Sequence, residues 1–185
     1  MPSRTRSFLA AGIFAAVAGI GTSGATATLS REEALRSAYP GAKIRAEQVF
    51  LTAAQQREAE ALSGVAVPTQ LVVRYLADQA GELVGRAYVD SHTVRTKKET
   101  LLVSLDRRGV ITRIDVTAFL EPPEYQASEA WLRQYGGRPL SEDLRVQRAI
   151  RPLAGATLTA RSANDAVRRV LAIDQVLEAT RTIGR

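Results

Sequence analysis

The sequence predicts an α+β protein, an antiparallel sheet with flanking helices, behind an export signal. Three observations carry this. Leu101, Val103 and Leu105, then Ile114 and Val116, alternate around a turn at Asp106-Arg107-Arg108-Gly109, which is a hairpin pattern. Ala166, Val167, Val170, Leu171, Ile173, Val176 and Leu177 recur on one face of a helix near the C-terminus. Residues 1–27 have the three parts of a secretory signal.

In the signal, Arg4 and Arg6 form a positive start and Phe8 to Ile20 an uncharged apolar run. Ala25-Thr26-Ala27 is a small-residue cleavage site, which predicts a mature chain from Thr28. The run falls short of the roughly 20 residues that cross a bilayer, so an uncleaved anchor is the second reading.

Residues 28–69 read as an N-terminal extension of helices and a strand, and 70–185 as the main domain. Ser30 with Glu33 makes a capping box that opens a short helix, and Pro40-Gly41 ends it. Ile44 to Leu51 reads as a strand. Thr52 with Gln55 opens a polar helix closed by Ser63-Gly64. From Leu71 the pattern turns to strand, with a turn at Gln79-Ala80-Gly81 and a second run from Leu83 to Val89.

Asp90 to Lys98 is polar without a period and reads as a loop. In the hairpin, Val110, Thr112, Ile114 and Val116 are expected on the buried face, with Ile111, Arg113 and Asp115 opposite. Glu121-Pro122-Pro123 ends the sheet. Ser128 to Tyr135 is a short helix in which Trp131 and Tyr135 share a face and are expected in the core. Residues 141–150 fit helix and strand equally. The last helix starts between Thr159 and Ala163, with Arg168 and Arg169 pointing away from its apolar face.

Composition excludes several chemistries. The 185 residues include no Cys, which removes disulfides, thiol catalysis and iron–sulfur ligation. One His, His92, argues against a His-rich metal site or a Ser-His-Asp triad, and no catalytic or metal-ligating set is assigned. Glu121 and Glu124 lack the sugar-binding aromatic cluster expected beside a glycosidase pair. Removing Arg4 and Arg6 from the 25 basic residues leaves 23 against 19 acidic ones, a net +4. These charges are interspersed and lack interleaved aromatics, which speaks against nucleic acid as a partner.

The chemistry concentrates in Ala154-Gly155-Ala156-Thr157-Leu158-Thr159. Two small residues bring the backbone close, a hydroxyl follows, and a helix begins. A helix start carries unpaired N–H groups and the positive end of the dipole, so it suits a phosphate. The tripeptide alone is weak, because Gly24-Ala25-Thr26 repeats it inside the signal.

Gly155-Ala156-Thr157-Leu158-Thr159, followed by Ala166-Val167, resembles the FMN-binding domain family. The likeness runs from about Gly85 to Leu177 and includes the block Phe119 to Tyr125. Members occur in sodium-pumping quinone reductases and in extracytoplasmic flavoproteins. Ala154 stands where the family has Ser, and Arg151 where it has Asp.

The resemblance implies a single FMN-binding domain with FMN joined to Thr157 by a phosphoester. Gly155, Ala156, Leu158 and Thr159 would surround the phosphate, and Arg161 would add charge. His92, Thr96 and Thr100 would face the flavin from the Thr-rich loop, although Leu101-Leu102 replaces the Pro-Gly that follows Glu-Thr in members. Read from the residues alone, His92 is favoured as an ordinary surface or hydrogen-bonded loop residue.

The implied partners are a flavin transferase for maturation and flavin, quinone or haem redox carriers. The implied place is the periplasm or the outer face of the cytoplasmic membrane. The implied role is electron transfer rather than turnover of a small substrate. The alternative is an exported binding or sensory module of the same fold that has lost the flavin.

Overall fold

The computed structural model describes residues 28–183, so the expected signal segment lies outside the described residues. Helix α1 spans Arg31–Ala38, β1 Lys43–Phe50, α2 Ala53–Ser63, β2 Leu71–Gln79, β3 Glu82–Thr93, β4 Lys98–Asp106 and β5 Ile111–Phe119. The short helix α3 spans Glu129–Leu132, and α4 spans Thr157–Ile183. The five strands form one antiparallel sheet in chain order. The α+β expectation is met, and residues 28–69 supply an edge strand and two helices to the same sheet and cores.

Local chemistry sets the element ends. Both expected capping boxes form, Ser30 with Glu33 and Thr52 with Gln55. Gly64 closes α2 in the left-handed region, at φ 69°. The Ala80-Gly81 turn between β2 and β3 has positive φ at both residues, the geometry that suits a tight hairpin.

The helices cover the two faces of the sheet unequally. On one face α4 packs with α2, and Tyr88, Leu101, Val103, Ile114 and Val116 meet Val167, Val170 and Leu171. On the other face α1 lays Ala34, Leu35 and Tyr39 over Ala77, Ala87 and Leu102. The Tyr39 hydroxyl reaches the Arg86 and Leu105 carbonyl oxygens at 2.6 and 2.9 Å. Its ring lies on Gly85, where an added Cβ would meet Tyr39 Cε1 at 2.3 Å, so glycine is needed for this docking.

Four expectations are corrected. Residues 90–93 and 98–100 are not loop: they extend β3 and β4, so His92 and Thr100 are strand residues. The ladder shifts between Ser104 and Leu105, which brings Ile111 into the core and leaves Thr112 exposed, while Ile114 and Val116 point inward as expected. Helix α4 begins at Thr157, two residues before the earliest expected start. Arg168 and Arg169 do not point to solvent. Arg168 is buried and donates to the carbonyl oxygens of Ser63 (2.7 Å) and Ser141 (2.7 Å). Such a guanidinium can neutralise several carbonyl dipoles at once.

Residues 141–150 are neither helix nor continuous strand, but a loop closed by a bridge between Val146 and Ile150. No helix among the described residues is long and apolar enough to cross a membrane.

Candidate functional site

Thr157 is the first residue of a 27-residue helix. At 1.5 Å per residue that helix is about 40 Å long. Gly155 lies in the left-handed region at φ 74°, and Ala156 turns the chain into the helix. The Ala156 N–H donates to Leu153 O at 3.2 Å, and its carbonyl takes the first helical bond, from Ala160 N at 3.0 Å. Ala156 is buried, while Gly155, Thr157 and Leu158 are exposed. The Thr157 hydroxyl therefore stands in solvent beside the N–H groups that a helix start leaves without intrahelical partners.

The approach to this corner is pinned by α3. Trp131 donates from Nε1 to the Arg151 carbonyl at 2.8 Å, and Gln134 Oε1 accepts from Arg151 N at 2.9 Å. Trp131 and Tyr135 are buried, with their rings edge to face at 5.7 Å, as expected for core residues. Thr159 is committed elsewhere. It is buried, and its hydroxyl donates to the Tyr125 carbonyl at 2.7 Å, so it braces the helix start and does not offer a free donor.

The turn between β3 and β4 is held by Glu121. Its Oε1 accepts from the N–H groups of Arg95 (3.1 Å), Thr96 (2.8 Å) and Lys97 (2.8 Å). Successive N–H groups converging on one point form an anion nest, which here is filled by a side chain of the same protein. The Thr96 and Lys97 N–H groups hold the Glu121 carboxyl below its ordinary range. This explains Glu121 without any second catalytic carboxylate. Arg95 lies 4.8 Å from the centre of the Tyr125 ring. Tyr125 thus links the Thr96 turn to the first turn of α4.

His92 belongs to a separate cluster. It lies between Asp90 and Glu99, with Nδ1 3.0 Å from Asp90 Oδ1 and Nε2 3.0 Å from Glu99 Oε2. Burial opposes its protonation, but the hydrogen bonds and charges of Asp90 and Glu99 outweigh that and push its pKa up to about 9. Arg169 holds Asp90 through two bonds, at 2.7 and 3.1 Å. Glu99 is fully buried, and its Oε1 has no hydrogen-bond partner among the described residues.

Thr100 projects to the opposite face of the sheet, where its hydroxyl donates to Ser91 Oγ at 3.2 Å. Of the expected set, the structure groups Gly155, Ala156, Thr157, Leu158, Thr159 and, through Tyr125, Thr96. It separates His92 and Thr100 from them and from each other.

His92, Asp90 and Arg169 line a cleft of roughly 430 Å3. The cleft opens because β2 and β3 pair only from Arg74 and Tyr88 onward, which leaves Leu71 and Val72 apart from Val89 to Thr93. Val67, Val170 and Ile173 close its floor. Arg169 is twelve residues beyond Thr157, about 18 Å along the helix, so cleft and corner are distinct places. Sequence reading missed the cleft, because it depends on where two paired strands part.

Fold and corner together define an α+β domain with an exposed threonine at the start of its longest helix. No protein-family model, curated protein or solved structure matches the chain.

Proposed function

We infer that this is an exported flavoprotein that carries FMN as a phosphoester on Thr157 and relays electrons between redox carriers. The observation behind this reading is the exposed Thr157 hydroxyl at the first position of a 27-residue helix, after Gly155 at φ 74°. The corner fits the phosphate. The helix start offers N–H groups and a positive dipole end, and exposed Arg161 stands in the next turn. When bound, the flavin would supply the redox chemistry.

The chain's own residues have simpler tasks. Thr157 provides the oxygen of the ester. Gly155 lets the loop turn tightly enough to present it. Thr159 and Tyr125 fix the first helical turn, and Trp131 fixes the loop at Arg151. Export rests on the order of parts in residues 1–27, and the partners would be flavin, quinone or haem carriers outside the cytoplasm.

A second reading, a flavin-free binding module, draws on Arg151 and Ala154 and on the nest at residues 95–97 already filled by Glu121. One experiment separates the two. Protein co-expressed with a flavin transferase is denatured and its mass measured. Covalent FMN on the peptide holding Thr157, absent from Thr157→Val, supports the flavoprotein. An unmodified wild-type peptide moves the assignment to the binding module.

A further inference from the structure

We propose that β1 is a self-association edge, on which a second copy of this chain pairs antiparallel about Ala46 to make one continuous sheet. Strand β1 ends the sheet and has a strand neighbour on one side only among the described residues. None of its eight residues is buried. Its ladder pairs with β2, while Ile44 packs against the α1 cluster and Val49 against the α4 cluster. Among the described residues the outer edge has no strand partner, and Lys43, Arg45, Ala46, Gln48 and Phe50 are exposed. An exposed edge of this kind is a template for another strand.

The charges on β1 select the partner and the register. Lys43, Arg45, Glu47 and Val49 share the α4 face, where Glu47 meets Arg74, and Ile44, Ala46, Gln48 and Phe50 share the α1 face. When a two-fold axis passes through Ala46, Arg45 of each copy lies opposite Glu47 of the other. Glu47 gives Oε2 to Arg74 at 2.7 Å, which leaves Oε1 for the incoming guanidinium. Arg45 makes no ion pair among the described residues.

Sliding the pairing by one repeat either way puts Arg45 against Arg45, or Glu47 against Glu47. Like charges directly opposite are destabilising; centring on Arg45 also sets Glu47 against Lys43, so the Ala46 register is the one that pairs opposite charges with no like-charge contact. In that register Phe50, the most exposed large apolar residue at 72% exposure, lies opposite Ala42 of the other copy, next to Ile44. The pairing therefore covers an apolar side chain that the monomer leaves in water. None of this depends on the flavin.

The test is a charge swap read by analytical ultracentrifugation of the purified protein. Wild type is expected to sediment at twice the monomer mass. Arg45→Glu alone and Glu47→Arg alone each place like charges opposite one another twice per dimer. Each should weaken association on the order of tenfold or more. An equal mixture of the two variants restores both pairs and should recover the dimer.

Glu47→Arg also removes a partner of Arg74, so a second measurement stands apart from it. The chain has no Cys, and Ala46→Cys places one thiol at the two-fold axis. Oxidation with glutathione disulfide should then cross-link two copies, whereas Gln48→Cys, which faces Ile44, should not. A wild type that stays monomeric at millimolar concentration overturns the proposal. So does a dimer insensitive to Arg45→Glu, or equal cross-linking at positions 46 and 48.

Discussion

The Thr159 hydroxyl donates to the Tyr125 carbonyl at 2.7 Å and ties the first turn of α4 to the segment after β5. Its neighbour Thr157, two residues earlier, is exposed. The two threonines of one motif should therefore respond in opposite ways. Thr159→Val leaves the part-buried Tyr125 carbonyl without its partner and is expected to cost about 1 kcal/mol. Thr157→Val should change stability by no more than about 0.5 kcal/mol, as an exposed substitution does. Urea unfolding of the two variants checks this. If Thr157→Val proves the more destabilising, the assignment of brace and free hydroxyl is wrong.

Arg86 and Asp174 form a buried pair. Arg86 Nη2 donates to Asp174 Oδ2 at 2.8 Å, and Tyr88 donates to Asp174 Oδ1 at 2.8 Å. Asp174→Ala takes away the carboxylate that accepts from Arg86 and Tyr88 and leaves the buried guanidinium with only the longer pair to Glu178, so a loss of about 3 kcal/mol is expected. Thermal melting would show it. A melting temperature equal to wild type would mean that Glu178, 3.7 Å from Arg86 Nη1, takes over the pairing.

The His92 cluster predicts a stability slope in mild alkali. The pKa of His92 is raised from 6.5 to about 9 in the folded chain, so the native state holds a proton that the unfolded state releases. This stabilisation is complete below about pH 6.5 and is lost as pH rises through about 9, at most about 3 kcal/mol. Urea midpoints across that range should fall for wild type. His92→Gln should flatten the fall, and an equally steep slope in that variant would assign it to another group.

Ile114 is 5% exposed and sits in the core between the sheet and α4. Ile114→Asp would bury an unpaired carboxylate there and should cost several kcal/mol, about 3–5. Exposed Thr112, on the same strand, donates its hydroxyl to the Ser104 carbonyl at 3.1 Å, and losing that bond to Asp should cost only about 1 kcal/mol. Circular dichroism melts of the two variants test which face of β5 is buried, and equal melts would reject it.

The sequence alone determined what is set by neighbours a few residues apart. The boxes Ser30–Glu33 and Thr52–Gln55 start helices because a hydroxyl and a carboxylate or amide satisfy backbone groups three residues away. Asp106 to Gly109 turns the chain because Asp106 accepts from Arg108 N and Val110 N, and Gly109 takes φ 79°. The Gly155-Ala156-Thr157 corner ahead of a helix was legible for the same reason, since its residues are adjacent, but the helix start was expected two or more residues later than Thr157.

What only the tertiary structure decided involves partners far along the chain. Polar residues 90–93 look like loop until Asp90 meets Arg169, His92 meets Glu99, and the strand pairs along Leu101 to Lys98. Arg168 reads as a surface residue until three carbonyl oxygens, from Ser63, Ser141 and Leu144, converge on it. A buried charge depends on groups brought together by folding, and no local pattern encodes which distant residue will supply them.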